Sequence, residues 1–142
     1  NSATWTTLTL YFANETGDKL VKETREVALE NSYPVEQYVL SLLIEGPQEE
    51  GHKATLPADL KILGVSTKDN ICYVNFDSSF VSSALTDLND YIPIYSVVNS
   101  LAEMTGVRKV QISIDGVTNV KFKDNISLEE PLDRNLDYVE EE

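Results

Sequence analysis

The chain has 142 residues, 42% of them hydrophobic, with 11 basic residues against 24 acidic ones and a formal charge of −13. A chain of this length buries a core that needs neither disulfide nor metal, and a single cysteine rules out an internal disulfide. The negative field repels phosphate backbones and anionic lipid, and no window holds the roughly 18 apolar residues of a membrane helix.

"WTTLTLYFAN" alternates, with Leu8, Leu10 and Phe12 on one face and Thr7, Thr9 and Tyr11 on the other. That predicts a half-buried strand. "ETGDK" supplies a turn, and "LVKETREVAL" alternates again through Val21, Glu23, Arg25, Val27 and Leu29. The two predict a β-hairpin or an extended arm, whose second half is too charged on both faces to be central.

Pro34 suits a first helical turn. Val35, Tyr38, Val39, Leu42 and Leu43 follow at helical spacing. Gly46 is placed for a left-handed C-terminal cap, and Pro47 blocks continuation. "LKILGVSTKDNICYVNFDSSF" predicts two strands around the turn "KDN", with Cys72, Val74 and Phe76 inward and Tyr73 and Asn75 outward. Cys72 therefore reads as a buried, inert thiol. Ser78 or Ser79 begins a short helical turn.

"DYIPIYSVVNSLAEMTG" predicts a helix with Ile94, Val97, Val98, Leu101 and Thr105 on one face and Gly106 as its stop. "VRKVQISIDG" is a strand with Val110, Ile112 and Ile114 inward, and "VTNVKFKDN" a short return strand through Val120 and Phe122. After the hairpin the order is α-β-β-α-β. The crossover helix makes the strands "CYVNF" and "VQISI" parallel, and two helices with one apolar stripe each pack on one sheet face. The expected fold is an α+β two-layer sandwich with a mixed sheet, plus the N-terminal hairpin. Residues 1–4 read as a linker remnant, 5–135 as one domain and 136–142 as an acidic, disordered tail.

His52, the only histidine, lies in "PQEEGHK" with no second histidine or cysteine nearby, so a solvated loop side chain outweighs a metal ligand or base. No "GxSxG" elbow accompanies the plentiful serines and aspartates. "DLND" (Asp87–Asp90) and "DRNLD" (Asp133–Asp137) lack the glycine and distal glutamate of a calcium loop, and the sequons at Asn14 and Asn125 carry little weight. The order suits a KH domain, but its "GxxG" clamp and basic surroundings are missing. Tyr33, Tyr91 and Tyr95 sit at helix starts. They read first as hydrophobic staples and second as anchors of a partner surface.

"TLYF", "LLIEGP", "LP" at Leu56-Pro57, "YVNFDSSF", "VVNSLAEM", "VRKVQISIDG" and the terminal "PLDRN" together resemble the GerMN domain, in the right order from Leu8 to Asn135. Ser100 stands where that family usually has threonine, Ala102 where it often has an acidic residue or threonine, and the stretch 80–94 lacks its common Ser-Gly-Glu. The resemblance implies a ring-building-type fold in which Gly46, Pro47, Leu56, Pro57, Phe76, Asn99, Leu101 and Gly116 are structural motif positions. It implies an extracytoplasmic module without catalytic residues or cofactor, held at a Gram-positive membrane by an upstream lipidated cysteine and active in sporulation, germination or envelope assembly. The expected partner is an envelope protein with a basic surface, and the isolated domain is expected to be monomeric. The competing reading is a small-ligand or cell-wall-glycan binding domain, or a hydrolase using Asp77 and Asp115 with raised pKa values in a deep pocket.

Overall fold

The computed structural model describes residues 4–30 and 33–141. The expected linker remnant lies mostly on residues 1–3, outside that range; Thr4 already belongs to β1 (Thr4–Ala13). β1 pairs antiparallel with β2 (Leu20–Leu29) over its whole length, with Leu10 opposite Glu23 and Leu8 opposite Arg25. Leu8, Leu10 and Phe12 enter the main core, whereas Tyr11 and Ala13 enter a second cluster with Leu20, Leu88 and Ile92. The second half of β1 is thus buried on both faces, not one.

Helix α1 (Val35–Glu45) starts after Pro34, whose extended ψ of 150° makes it the cap rather than the first helical residue. Its buried face is Val39, Leu40 and Leu43; Leu42 is only half-buried, so the stripe is rotated from the expected one. Gly46 ends the helix at φ 104°, ψ 174°, with its N–H on the Leu42 carbonyl. That is not the expected left-handed cap but an extended positive-φ state that is almost exclusive to glycine.

β3 (Ile62–Lys68) and β4 (Ile71–Phe76) form a hairpin with a bulge between Ile62 and Gly64. Its turn is two residues, Asp69 and Asn70, both at positive φ (54° and 68°), as primed hairpin turns require. The turn of α2 (Ser79–Ser82) follows, then α3 (Ile92–Ala102), which crosses over to β5 (Lys109–Ile114). β5 runs parallel to β4, with Val74 beside Ile112. The sheet order is β3-β4-β5-β8, where β8 is Leu132–Asp133. Beyond the isolated bridge of Val117 to Ile114, the segment up to residue 128 adds no strand to this sheet. β6 (Lys121–Phe122) and β7 (Ile126–Ser127) pair only with each other.

The sandwich of one mixed sheet and two helices is therefore present, and the hairpin lies over its helices. α3 packs against β5 on one side and β1 on the other. Every residue from Ile92 to Leu101 except Tyr95 is buried, so this helix has no solvent-facing stripe, and Thr105 lies beyond it, exposed. Ser96 and Ser100, one turn apart on α3, meet the free edge of β1: Ser96 Oγ donates to the Tyr11 carbonyl (2.6 Å), and the Tyr11 N–H donates to Ser100 Oγ (2.9 Å). Two hydroxyls thus stand in for a neighbouring strand and leave neither backbone group of Tyr11 unpaired.

The C-terminal segment is ordered rather than a free tail. Leu136–Tyr138 forms a 3-10 turn, Val139 bridges to Leu20, and the Glu140 N–H donates to the Leu20 carbonyl at 2.8 Å. Apolar contact holds it: Tyr138 stacks on Tyr95 (5.1 Å between ring centres) and on Tyr91 (5.4 Å).

Candidate functional site

β2 turns two charged side chains inward. Glu23 and Arg25 lie between Val21 and Val27 on the face that carries Leu8, Leu10 and Phe12, and Glu23 is 2% exposed. Burying a carboxylate is costly unless it is paired. Here Oε1 meets Arg25 at 2.8 Å and the Gln48 N–H at 3.0 Å, and Oε2 takes the Glu49 N–H at 3.2 Å and His52 Nδ1 at 2.6 Å. A carboxylate only accepts, so Nδ1 carries the shared proton. Burial works against the Glu23 charge, but the Gln48 amide, His52, Arg25 and the Glu49 amide outweigh it and hold its pKa below the ordinary value.

The acidic loop after Gly46 is therefore clamped onto the hairpin. Arg25 also donates to the Gly46 carbonyl (3.3 Å) and lies over the Phe12 ring. Further on, Lys53 exchanges two backbone bonds with Ala13 (2.8 and 3.0 Å), and Thr55 Oγ1 meets Ser96 Oγ at 2.7 Å. The expectation of a freely solvated His52 is corrected. Its ring is the last member of a buried charge network, and it borders two clefts with Glu15, Glu49, Glu50, Glu140 and Glu141. Among the described residues no serine, threonine or cysteine side chain hydrogen-bonds to that ring.

Asp77 does not suit the hydrolase reading. Its Oδ1 receives the Ser79 hydroxyl (2.5 Å) and the N–H groups of Ser79 and Lys61 (3.3 Å each). The Ser79 hydroxyl, first among these, lowers its pKa instead of raising it. Asp115 sits at φ 51° beside Gly116 (φ 79°) in the tight turn joining Ile114 to Val117. Burial pushes the Cys72 thiol up to about 11 against an opposing hydrogen bond from Thr67, consistent with inertness.

The motif positions fall along the structural seams. Leu56, Phe76 and Leu101 lie in the main core, and Phe76 stacks on Phe80 at 4.9 Å. Pro57 is buried and accepts the Leu60 N–H at the loop's exit, Pro47 is half-buried beside the Gly46 cap, and the Gly116 N–H donates to Asn75 Oδ1. Asn99 is fully buried and pairs with the backbone of Asn135. Tyr91 and Tyr95 join Tyr138 in one stack, with Tyr91 at the surface; Tyr33, 53% exposed, sits apart, edge-on to Tyr38 beside a cleft of about 300 Å³. The stack thus joins Tyr91 and Tyr95 without Tyr33. Periodicity missed Ser96, Ser100 and His52; in β2, the spacing of Glu23 and Arg25 between Val21 and Val27 was the available signal.

The fold is similar to solved structures that span nearly all of the chain. Tandem GerMN domains of the sporulation protein GerM from Bacillus subtilis match with a TM-score of 0.74 and 21% identity over 92% of the chain. The chain spans 46% of that structure. The first GerMN domain of the same protein matches with a TM-score of 0.72 and 20% identity, covering 92% of this chain and 96% of that one. A Clostridium perfringens protein described as a lipoprotein matches with a TM-score of 0.63 and 20% identity, over 94% and 91% of the two chains. No curated protein gives a significant sequence match. The family model named Germane, described as sporulation and spore germination, matches residues 9–120. The chain belongs to this Germane (GerMN) family of sporulation and spore germination domains.

Proposed function

We propose that the chain is a non-enzymatic, extracytoplasmic module that binds another envelope protein during sporulation or germination. The observation that carries this reading is family membership across residues 9–120. GerM of Bacillus subtilis is a sporulation protein, which supports the sporulation role, and the Clostridium perfringens relative is described as a lipoprotein, which supports a lipid anchor outside the membrane. The pinned Asp77 carboxylate argues against a carboxylate-pair hydrolase.

The hairpin covers the two-helix face, so the contact surface is better sought on the sheet. β3 is an edge strand, with Leu63 51% exposed and Tyr73 exposed on the neighbouring β4. In a hairpin with a two-residue turn, Lys68 and Ile71 exchange both ladder bonds, so the Thr67 N–H and C=O face outward for strand addition. A net charge of −13 favours a basic partner and a salt-sensitive contact.

The test is quantitative capture of envelope proteins from sporulating cells by the wild-type domain and by Thr67→Pro, which removes the outward N–H. The expected result is specific capture, weakened by salt and lost in the variant. Capture unchanged by Thr67→Pro overturns the edge as the site. Turnover of a cell-wall or ester substrate by the purified domain overturns the non-enzymatic reading.

A further inference from the structure

We propose that Glu23, Glu49 and His52 form a site for one divalent transition-metal ion of the zinc class. Donor atoms of the three residues lie within 4.8 Å of one another. An imidazole nitrogen with two carboxylate oxygens suits Zn²⁺, whereas Ca²⁺ and Mg²⁺ select all-oxygen sets. The donors come from separate parts of the chain, yet the backbone holding them is fixed in advance. The amides of Gln48 and Glu49 bond to Glu23 itself, and Arg25 ties the loop to β2 through Gly46.

His52 Nδ1 and Glu23 Oε2 are 2.6 Å apart with a proton between them. An ion at about 2.0–2.2 Å from each atom takes that proton's place when the pair opens to roughly 3.4 Å in a tetrahedral arrangement. His52 sits on a surface loop, partly exposed, and supplies that movement. The Nδ1 proton is displaced to solvent and the ring takes its hydrogen on Nε2 instead, so that it coordinates through Nδ1 as a neutral imidazole. Arg25 opposes the ion but is held on the other oxygen, Oε1. The carboxylates of Glu50, Glu140 and Glu141, which line the same clefts, offset its charge. The fourth coordination position then opens to a cleft of about 400 Å³ bordered by Glu49, His52 and Glu140, where water or a partner's side chain completes the sphere.

The experiment is calorimetric titration of the purified protein with Zn²⁺ at about pH 7.5. Co²⁺ absorption reports the geometry. One ion per chain and intense tetrahedral Co²⁺ bands are expected. His52→Ala should weaken binding at least about 100-fold and Glu49→Gln at least about 10-fold, no less than is usual for losing even an outer partner of a ligand. Glu49 is exposed, so its variant keeps the test decisive if His52→Ala unfolds. Non-stoichiometric uptake, equal competition by Ca²⁺, or binding unchanged in Glu49→Gln and His52→Ala would mean adsorption to an acidic surface only, and would overturn the site.

Discussion

The side-chain amide of Asn99 pairs with the backbone of Asn135 in both directions: Nδ2 donates to the Asn135 carbonyl at 2.9 Å, and the Asn135 N–H donates to Oδ1 at 3.0 Å. One buried side chain thereby does what a strand partner does and fixes the start of the C-terminal segment against α3. Asn99→Ala removes both bonds and leaves the Asn135 peptide unpaired, which should cost about 1–3 kcal/mol. Denaturant unfolding gives that loss. Hydrogen exchange should show residues 135–140 opening more readily, and unchanged protection there would mean that the tyrosine stack and the pairing with Leu20 suffice to hold the segment.

The main core depends on the inner face of α1. Leu43 is fully buried, whereas Leu42 is half-buried at the margin of the same cluster. Leu43→Ala should cost about 2–5 kcal/mol, and Leu42→Ala distinctly less. Equal losses in urea titrations would contradict the observed helix rotation.

Alternation made most of the sheet legible before any coordinates. In β1, β4 and β5 a residue's face follows directly from its parity, and Val74, Phe76, Val110, Ile112 and Ile114 are core residues as expected. Helix α3 was harder, because apolar periodicity assigns serine and asparagine to water. Ser96, Asn99 and Ser100 are buried instead, since the hairpin above and the segment beyond β8 offer backbone groups that need partners. The Glu23–His52 contact joins residues 29 apart in sequence, and no local pattern encodes such a pairing. The tail misled through its charge. Glu140 and Glu141 are exposed, and Tyr138 ahead of them does the packing.

Gly46 tests backbone strain in isolation. A β-carbon built there meets nothing within 4 Å, so any cost of Gly46→Val comes from forcing a β-branched residue to φ 104°. Such regions cost of order 1–3 kcal/mol for residues with side chains. Gly46→Ala should lose somewhat less, and both should be measurable as shifts in thermal midpoint. A neutral Gly46→Val would show that the loop relaxes to negative φ without disturbing the Arg25 contact.

The buried charge network makes the sharpest prediction, and it reverses the expectation that His52 is only a solvated loop side chain. His52→Ala removes a hydrogen bond to an ionised group and should cost about 1.5–3 kcal/mol. Glu23→Gln leaves Arg25 without its counter-charge and should cost about 3–5 kcal/mol. Glu23 titrates below the ordinary value of 4.5 in the folded protein, burial being outweighed by the Gln48 amide, His52, Arg25 and the Glu49 amide. A depressed carboxylate stabilises the fold fully above its unfolded pKa, and that contribution disappears as pH falls through the folded one. The stability gap between wild type and Glu23→Gln should therefore stay level down to about pH 5 and narrow steadily below about pH 4.5. Urea titrations of both proteins from about pH 5.5 to about pH 3 read this directly. A gap that widens on acidification would mean that Glu23 is protonated in the folded protein and accepts nothing from His52 as an ion.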